Sequence, residues 1–249
     1  MKQIQIKILN PEVISNAEKM MACAARLTQH GEKIHNMDDF MQIFEKPHTD
    51  TFIKKMVSLP HPTLQKLGAI NVVVVGASRR FLAQITRHQN EVKFVSASLQ
   101  YSDYSNDSQF CVPYKILEKG SEAVNEYETE CKKIMETYKD ACEVVGNDAA
   151  GYLAPQGLRN VLIISATPYQ WIHMIRQRSC RRNTDETRYV MLRIWEQLYK
   201  ISPAWFKFCG PFCTRGKCEE GHMWCLNRMD EGMLPADILK TDFPFLCEG

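Results

Sequence analysis

The run AINVVVVGA, Ala69 to Ala77, limits the fold of this chain more than any other stretch. Consecutive β-branched residues crowd one another in a helix and suit a pleated, buried surface. Bounded by glycines, the run predicts a buried strand. The next segment, SRRFLAQITRH, changes period. Phe81, Leu82 and Ile85 fall on one helical face, opened by Ser78 as N-cap. Arg80, Gln84, Arg87 and His88 then share the other side. The chain therefore places a guanidinium and an imidazole at one helix end.

The rest of the chain is read in the same way. Gln3 to Leu9 alternates like a strand. Ser15 with Glu18 reads as a capping box for a helix running to about His30. Residues 31–48 look irregular, and a second helix covers Asp50 to Ser58, stopped by Pro60 and Pro62. Val92 to Tyr101 is expected to be extended. Ser121 to Val145 is a long amphipathic helix whose stripe includes Tyr127, Cys131, Met135 and Tyr138. GLRNVLIISATP is a strand ended by Pro168, and Tyr169 to Gln177 a helix. Asn183 with Glu186 is expected to cap a last long helix carrying Tyr189, Leu192, Trp195 and Leu198. Without a repeat or a linker, residues 1–249 are expected to form a single domain, with 205–249 as a Cys-rich tail.

Bulk properties narrow the function. The chain has 249 residues and a formal net charge of +2, which gives no reason to expect polymeric nucleic acid as a partner. No apolar run is long enough to span a bilayer and no signal-peptide core is present, so a soluble cytoplasmic protein without a membrane partner is expected. Ten cysteines are many for that compartment. Six are scattered and read as reduced core residues. Cys209, Cys213, Cys218 and Cys225 crowd together with His222 between them. Four thiolates in a glycine-rich loop can close a tetrahedral zinc site. Reduced thiols or a labile disulfide are the other readings of that spacing.

Two further clusters point to an anion. Gln84, Arg87, His88, Ser98 and Tyr101 offer a guanidinium fork and hydroxyl donors of the kind a phosphate takes. Arg and His at a helix C-terminus also stabilise the helix dipole, and that alone accounts for the pair. HMIRQRSCRRNTDETR holds Arg176, Arg178, Arg181, Arg182 and Arg188 against two acids. Such a run is either a solvated face or a nucleotide phosphate site. In a continuous helix Glu186 would pair with Arg182 and leave Arg178 free.

These residues together resemble the signature of the flavin-dependent thymidylate synthases. Ser78-Arg79, Gln84, Arg87-His88, Ser98 and Tyr101-Ser102 follow that family's Ser-Arg, Gln, Arg-His-Arg and Ser…Arg-Tyr-Ser pattern. Arg178, Cys180, Arg182, Glu186 and Arg188 follow, approximately, its Arg-Cys-x-x-Arg-Ala-Gln-Trp-Glu-x-Arg run. The tail resembles the cysteine-bearing extension of some longer bacterial members.

The resemblance implies an α/β fold, a mixed sheet flanked by long helices with a Cys-rich C-terminal extension, assembled as a homotetramer. It implies an FAD-dependent methyltransferase converting dUMP to dTMP, with NADPH and methylenetetrahydrofolate as co-substrates. Carried over, Ser98 and Arg178 are the catalytic positions. Arg87, His88, Gln89, His173 and Arg182 contact the cofactor. Gln84, Arg87, Ser98, Gln100 and Arg178 hold the nucleotide. The sequence departs from the pattern at Gln89 and Gln100, where the family has arginine, and at Ser96, where it has an acid. Lys66 and Leu67 stand where it has Glu and His, and Thr167 where it has a flavin-side asparagine. Arg159 and Arg181 are candidates to compensate. A related flavoenzyme acting on another pyrimidine nucleotide, or an inactive binding paralogue, fits the same departures.

Overall fold

The computed structural model describes Met1 and residues 4–106 and 109–247. Strand β1 (Gln5–Ile8) leads into α1 (Glu12–His30), α2 (Met37–Glu45) and α3 (Asp50–Ser58). Strand β2 (Ile70–Ser78), α4 (Arg79–Ile85) and β3 (Val92–Ser96) follow. Then come α5 (Tyr114–Leu117), α6 (Ser121–Ala150), β4 (Arg159–Ala166), α7 (Pro168–Arg178) and α8 (Asp185–Ile201). Helices α9 (Pro203–Phe206), α10 (Pro235–Asp242) and α11 (Pro244–Cys247) end the chain. The expected start of the first strand at Gln3 lies outside the described residues.

The four strands lie in the order β1-β2-β4-β3. Every pairing is antiparallel, so the sheet is not mixed. An all-apolar run reads as a buried strand whatever its direction. Direction is decided by where the chain re-enters: Arg159 at the start of β4 pairs with Ser78 at the end of β2. Along β2 the register shifts between Val75 and Ala77. Gly76 makes this bulge at φ +84°, and a Cβ there would lie 2.4 Å from Arg159 Nη2. Glycine at that point lets the strand kink and turn Ser78 into position to open α4.

One sheet face carries the core. Val72, Val74, Leu162 and Ile164 pack there with Met21, Phe81 and Ile194. Residues beyond 204 join the same cluster through Trp205, Cys209, Ile238, Leu239 and Phe243. A smaller cluster of Phe110, Cys131, Met135, Tyr138 and Leu158 lies under α6. That helix loses regular geometry at Gly146, φ +78°, one residue past the expected end.

Three local expectations are corrected. Helix α1 begins at Glu12 after Pro11, so Ser15 lies inside it and makes no cap. Residues 31–48 are not irregular throughout, because Asn36 accepts from the Asp39 amide and opens α2. Helix α8 starts at Asp185 with Thr184, not Asn183, at the N-cap position. The Asn183 amide instead donates to the carbonyl of Gln177, which tightens the turn after α7.

Candidate functional site

The ends of α4 and α7 meet at a polar cleft, and the sequence dictates how each end is fixed. Ser78 Oγ accepts from the Phe81 amide at 3.1 Å and starts α4. Glu186 on α8 accepts from the Ser78 amide at 2.6 Å and from its hydroxyl at 2.5 Å, tying α4 to α8. Thr167 caps α7 through the Gln170 amide. The turn after α4 then carries Arg87, His88 and Gln89 against Gln170, His173, Gln177 and Arg178 of α7. Gln170, His173 and Gln177 are spaced three and four apart, so one face of α7 forms a wall. The cleft encloses about 580 Å³.

Its electrostatics are one-sided. Two guanidiniums and two imidazoles line it without a carboxylate. Among the described residues neither Arg87 nor Arg178 pairs with an acid. Arg178 Nε donates to His88 Nε2 at 2.8 Å, and its Nη1 to Asn183 Oδ1 at 3.3 Å. His88 meets the His173 ring edge-on, centroids 5.7 Å apart. Burial, then the charge of Arg178, then His173 push the His88 pKa down to about 4. Burial and then Arg87 lower that of Arg178. His88 is therefore a neutral acceptor that aims the guanidinium. Because its folded pKa lies below the unfolded value near 6.5, folding is penalised as pH falls from about 6.5 through about 4. In an NMR titration the His88 ring should stay neutral to below about pH 5, and a bound dianion should raise its midpoint. A free-protein midpoint near the ordinary 6.5 would remove this role.

A second cavity of about 840 Å³ adjoins the cleft and shares His173 with it. It lies between α3, Leu59–Gln65, α7 and the segment 204–232.

The sequence model of the thymidylate synthase complementing proteins matches residues 12–204. The chain belongs to this family. It is 24% identical over 247 residues to a flavin-dependent thymidylate synthase of Clostridium tetani, covering 90% of this chain and 94% of that one. The counterpart from Geobacter sulfurreducens is 23% identical over 214 residues, covering 84% and 88%. In fold it is similar to a UMP/dUMP methylase, PolB, from Streptomyces cacaoi solved with 5-Br dUMP: TM-score 0.64, 13% identity, 82% and 93% covered. Thymidylate synthase X from Helicobacter pylori, solved with FAD and dUMP, gives 0.60 at 13% identity, with 83% and 98% covered. The family fold expected from the sequence is present, with the sheet antiparallel.

In this family member the expected site residues other than Arg182 divide into three groups. Arg87, His88, Gln89, His173 and Arg178 converge on the cleft. Gln84 is half-buried on α4 and does not line it. Ser98 and Gln100 follow β3, whose start pairs with Ala166 beside the cleft and whose end pairs with Leu162. Six residues of extended chain carry Ser98 up to about 20 Å from Val92. There its Oγ accepts from the Gln100 amide at 3.1 Å.

Several expected pairings are replaced. Arg182 bonds Glu220 and not Glu186, because it precedes α8 and the helical spacing never forms. Arg178 is not free, being held by His88 and Asn183. Arg181 and Arg159 do not compensate in the cleft: Arg181 binds Asp242 and Arg159 binds Gln109.

The four clustered cysteines are not gathered at one point. Cys209 is buried against the larger cavity, whereas Cys213, Cys218 and Cys225 border a narrow gap with Cys180. Among the described residues no three His, Cys, Asp or Glu side chains are placed to hold a metal ion. Gln177 and Asn90 in the cleft, and Arg215 in the cavity, went unread in the sequence, whereas Arg176 belonged to the basic run. Only the spacing of Gln177 four residues from His173 carried a signal for any of them.

Proposed function

We propose that this chain is a flavin-dependent methylase of a pyrimidine nucleotide, with dUMP as acceptor, methylenetetrahydrofolate as carbon source and NADPH as reductant. The observation that carries this reading is the cleft of Arg87, Arg178, His88 and His173 with no acid among its walls. The two guanidiniums repel each other until an anion lies between them. Family membership and relatives named as flavin-dependent thymidylate synthases support the reaction class.

Arg87 and the free guanidinium edge of Arg178 bind phosphate oxygens. His88 holds Arg178 in place, and the amides of Gln89 and Gln177 supply donors and acceptors to a neutral ring. The donor set also suits FAD, whose pyrophosphate is anionic, and the adjoining cavity has apolar walls from Leu59, Pro60, Ile172 and Trp205 for a flat ring. Arg87, His88 and Gln89 would contact the cofactor from the cleft, and His173, which lines both spaces, from the cavity. Bound FAD supplies the reducing chemistry, and the protein supplies position and charge.

Ser98 and Gln100 act in this reading on the cleft of another copy. Val95, Val161 and Ile163 leave an apolar sheet face exposed at 66%, 44% and 37%, which supports an assembly such as a homotetramer.

The test is a spectrum of the purified protein, followed by incubation with FAD, NADPH, methylenetetrahydrofolate and either dUMP or UMP. A flavin spectrum and a dUMP product heavier by one methylene unit are expected. Conversion of UMP in preference would move the substrate towards that of the Streptomyces methylase. No flavin retained and neither nucleotide altered would refute the proposal.

A further inference from the structure

Two half-buried arginines lie in the larger cavity with buried donors left unsatisfied, although Arg215 also lies over the Phe212 ring, 5.6 Å from its centroid. Arg176 projects from α7, and Arg215 comes from the loop beyond the family-matched residues. Arg176 Nε and Arg215 Nε and Nη2 are buried and make no hydrogen bond. The nearest carboxylate to Arg215 is Glu219, at 3.9 Å on a side chain that is 66% exposed. Burial and then Arg176 hold the Arg215 pKa down. The two guanidiniums also flank the buried Cys209 thiol, whose pKa burial raises against the pull of both. An unpaired buried donor is costly, and a second cation beside it adds repulsion.

The fold makes this juxtaposition rigid. At Gly210 a Cβ would meet Trp195 Cη2 at 2.5 Å and Thr214 Oγ1 at 2.7 Å, so only glycine lets the loop turn this tightly on α8. The Gly232 amide donates to the Thr214 carbonyl at 2.8 Å and closes the loop from its far side. Lys54 stands at the rim with Glu231, the acid in the lining.

We infer that Arg176 and Arg215 form an oxyanion site, built partly by the C-terminal extension, that takes the multiply charged end of a ligand lying in the cavity. Phosphate and paired carboxylates share the required chemistry, because a guanidinium fork matches both. The first would come from a nucleotide cofactor and the second from the glutamate tail of a folate. The site is separate from the Arg87–Arg178 cleft and does not depend on dUMP being the acceptor.

Calorimetry and thermal melts of the full chain in a phosphate-free, low-salt buffer test it, with inorganic pyrophosphate in one arm and a polyglutamylated folate in the other. At least one probe should bind and raise the melting temperature. Arg215→Ala should weaken that binding at least tenfold, Arg215→Lys should keep part of it, and Lys217→Ala, an exposed neighbour, should leave it unchanged. Pyrophosphate alone binding identifies a phosphate source, and the folate alone a carboxylate source. Because the buried Nε and Nη2 of Arg215 make no hydrogen bond, Arg215→Gln without anion should melt at or above the wild-type temperature. Failure of both probes to bind, an Arg215→Ala affinity equal to wild type, or a collapsed Arg215→Gln protein would overturn the inference.

Discussion

Replacing Arg178 by alanine will weaken dUMP binding at least tenfold without unfolding the protein. Tenfold corresponds to about 1.4 kcal/mol, and a hydrogen bond to a charged group contributes about 1.5–3 kcal/mol. Arg178 has no carboxylate to leave behind, so its removal strands no buried anion. Its Nε–H does leave His88 Nε2 without a donor. It also removes the second of the three causes that depress the His88 pKa, so the imidazole midpoint should rise from about 4 while burial keeps it below the ordinary value. A coupled rise in His88 and loss of nucleotide affinity would identify the guanidinium as the phosphate contact. An unchanged dissociation constant for dUMP would refute the placement. Arg178→Lys should recover part of the affinity, since it restores the charge but not the fork.

The largest expected loss of stability is at Asp242. Its carboxylate is 7% exposed and accepts from Arg181 at 2.6 Å and from Arg188, itself 7% exposed. Arg188 also lies over the Phe243 ring, 5.2 Å from its centroid. Arg181 reaches on to the Asn227 carbonyl at 3.2 Å, so a single acid joins α8, α10 and the Cys-rich loop. Asp242→Ala leaves Arg181 without its acid and Arg188 with only Asp185 at 3.6 Å, at a cost of about 3–5 kcal/mol. For a chain of this size that lowers the melting temperature by roughly 6–20 °C. Burial alone would raise the Asp242 pKa, but the Arg181 hydrogen bond and the charge of Arg188 outweigh it and the net shift is downward. The stabilisation is thus complete above the unfolded value near 4 and is lost as pH falls through the lower folded value. Wild type should lose this increment on acidification below about pH 4, and Asp242→Ala should not. A variant melting within about 2 °C of wild type would show that the network holds nothing together.

Part of this was legible in one dimension. Period and composition placed β2, α3, α6 and α7, because apolar spacing records which face is buried. Ser78 was readable as a cap because its role needs only the next three residues. The order Arg87-His88 and then Arg178 to Arg188 was readable as a family signature. Pairings across distance were not readable. Glu186 chose Ser78 over Arg182, Arg181 chose Asp242 over the nearby Asp185, and Arg188 added Asp242 to its neighbour Asp185. Those choices depend on which helix ends the core brings together. The sequence by itself thus determined the strand run, the helix faces and the supply of basic groups. Tertiary structure decided which of those groups stay unpaired. Among the described residues, packing α7 against α4 and the C-terminal loop half-buries Arg178 and Arg176 with no paired carboxylate and leaves Arg215 only the exposed Glu219, and charge patterning along a chain carries no record of that exclusion.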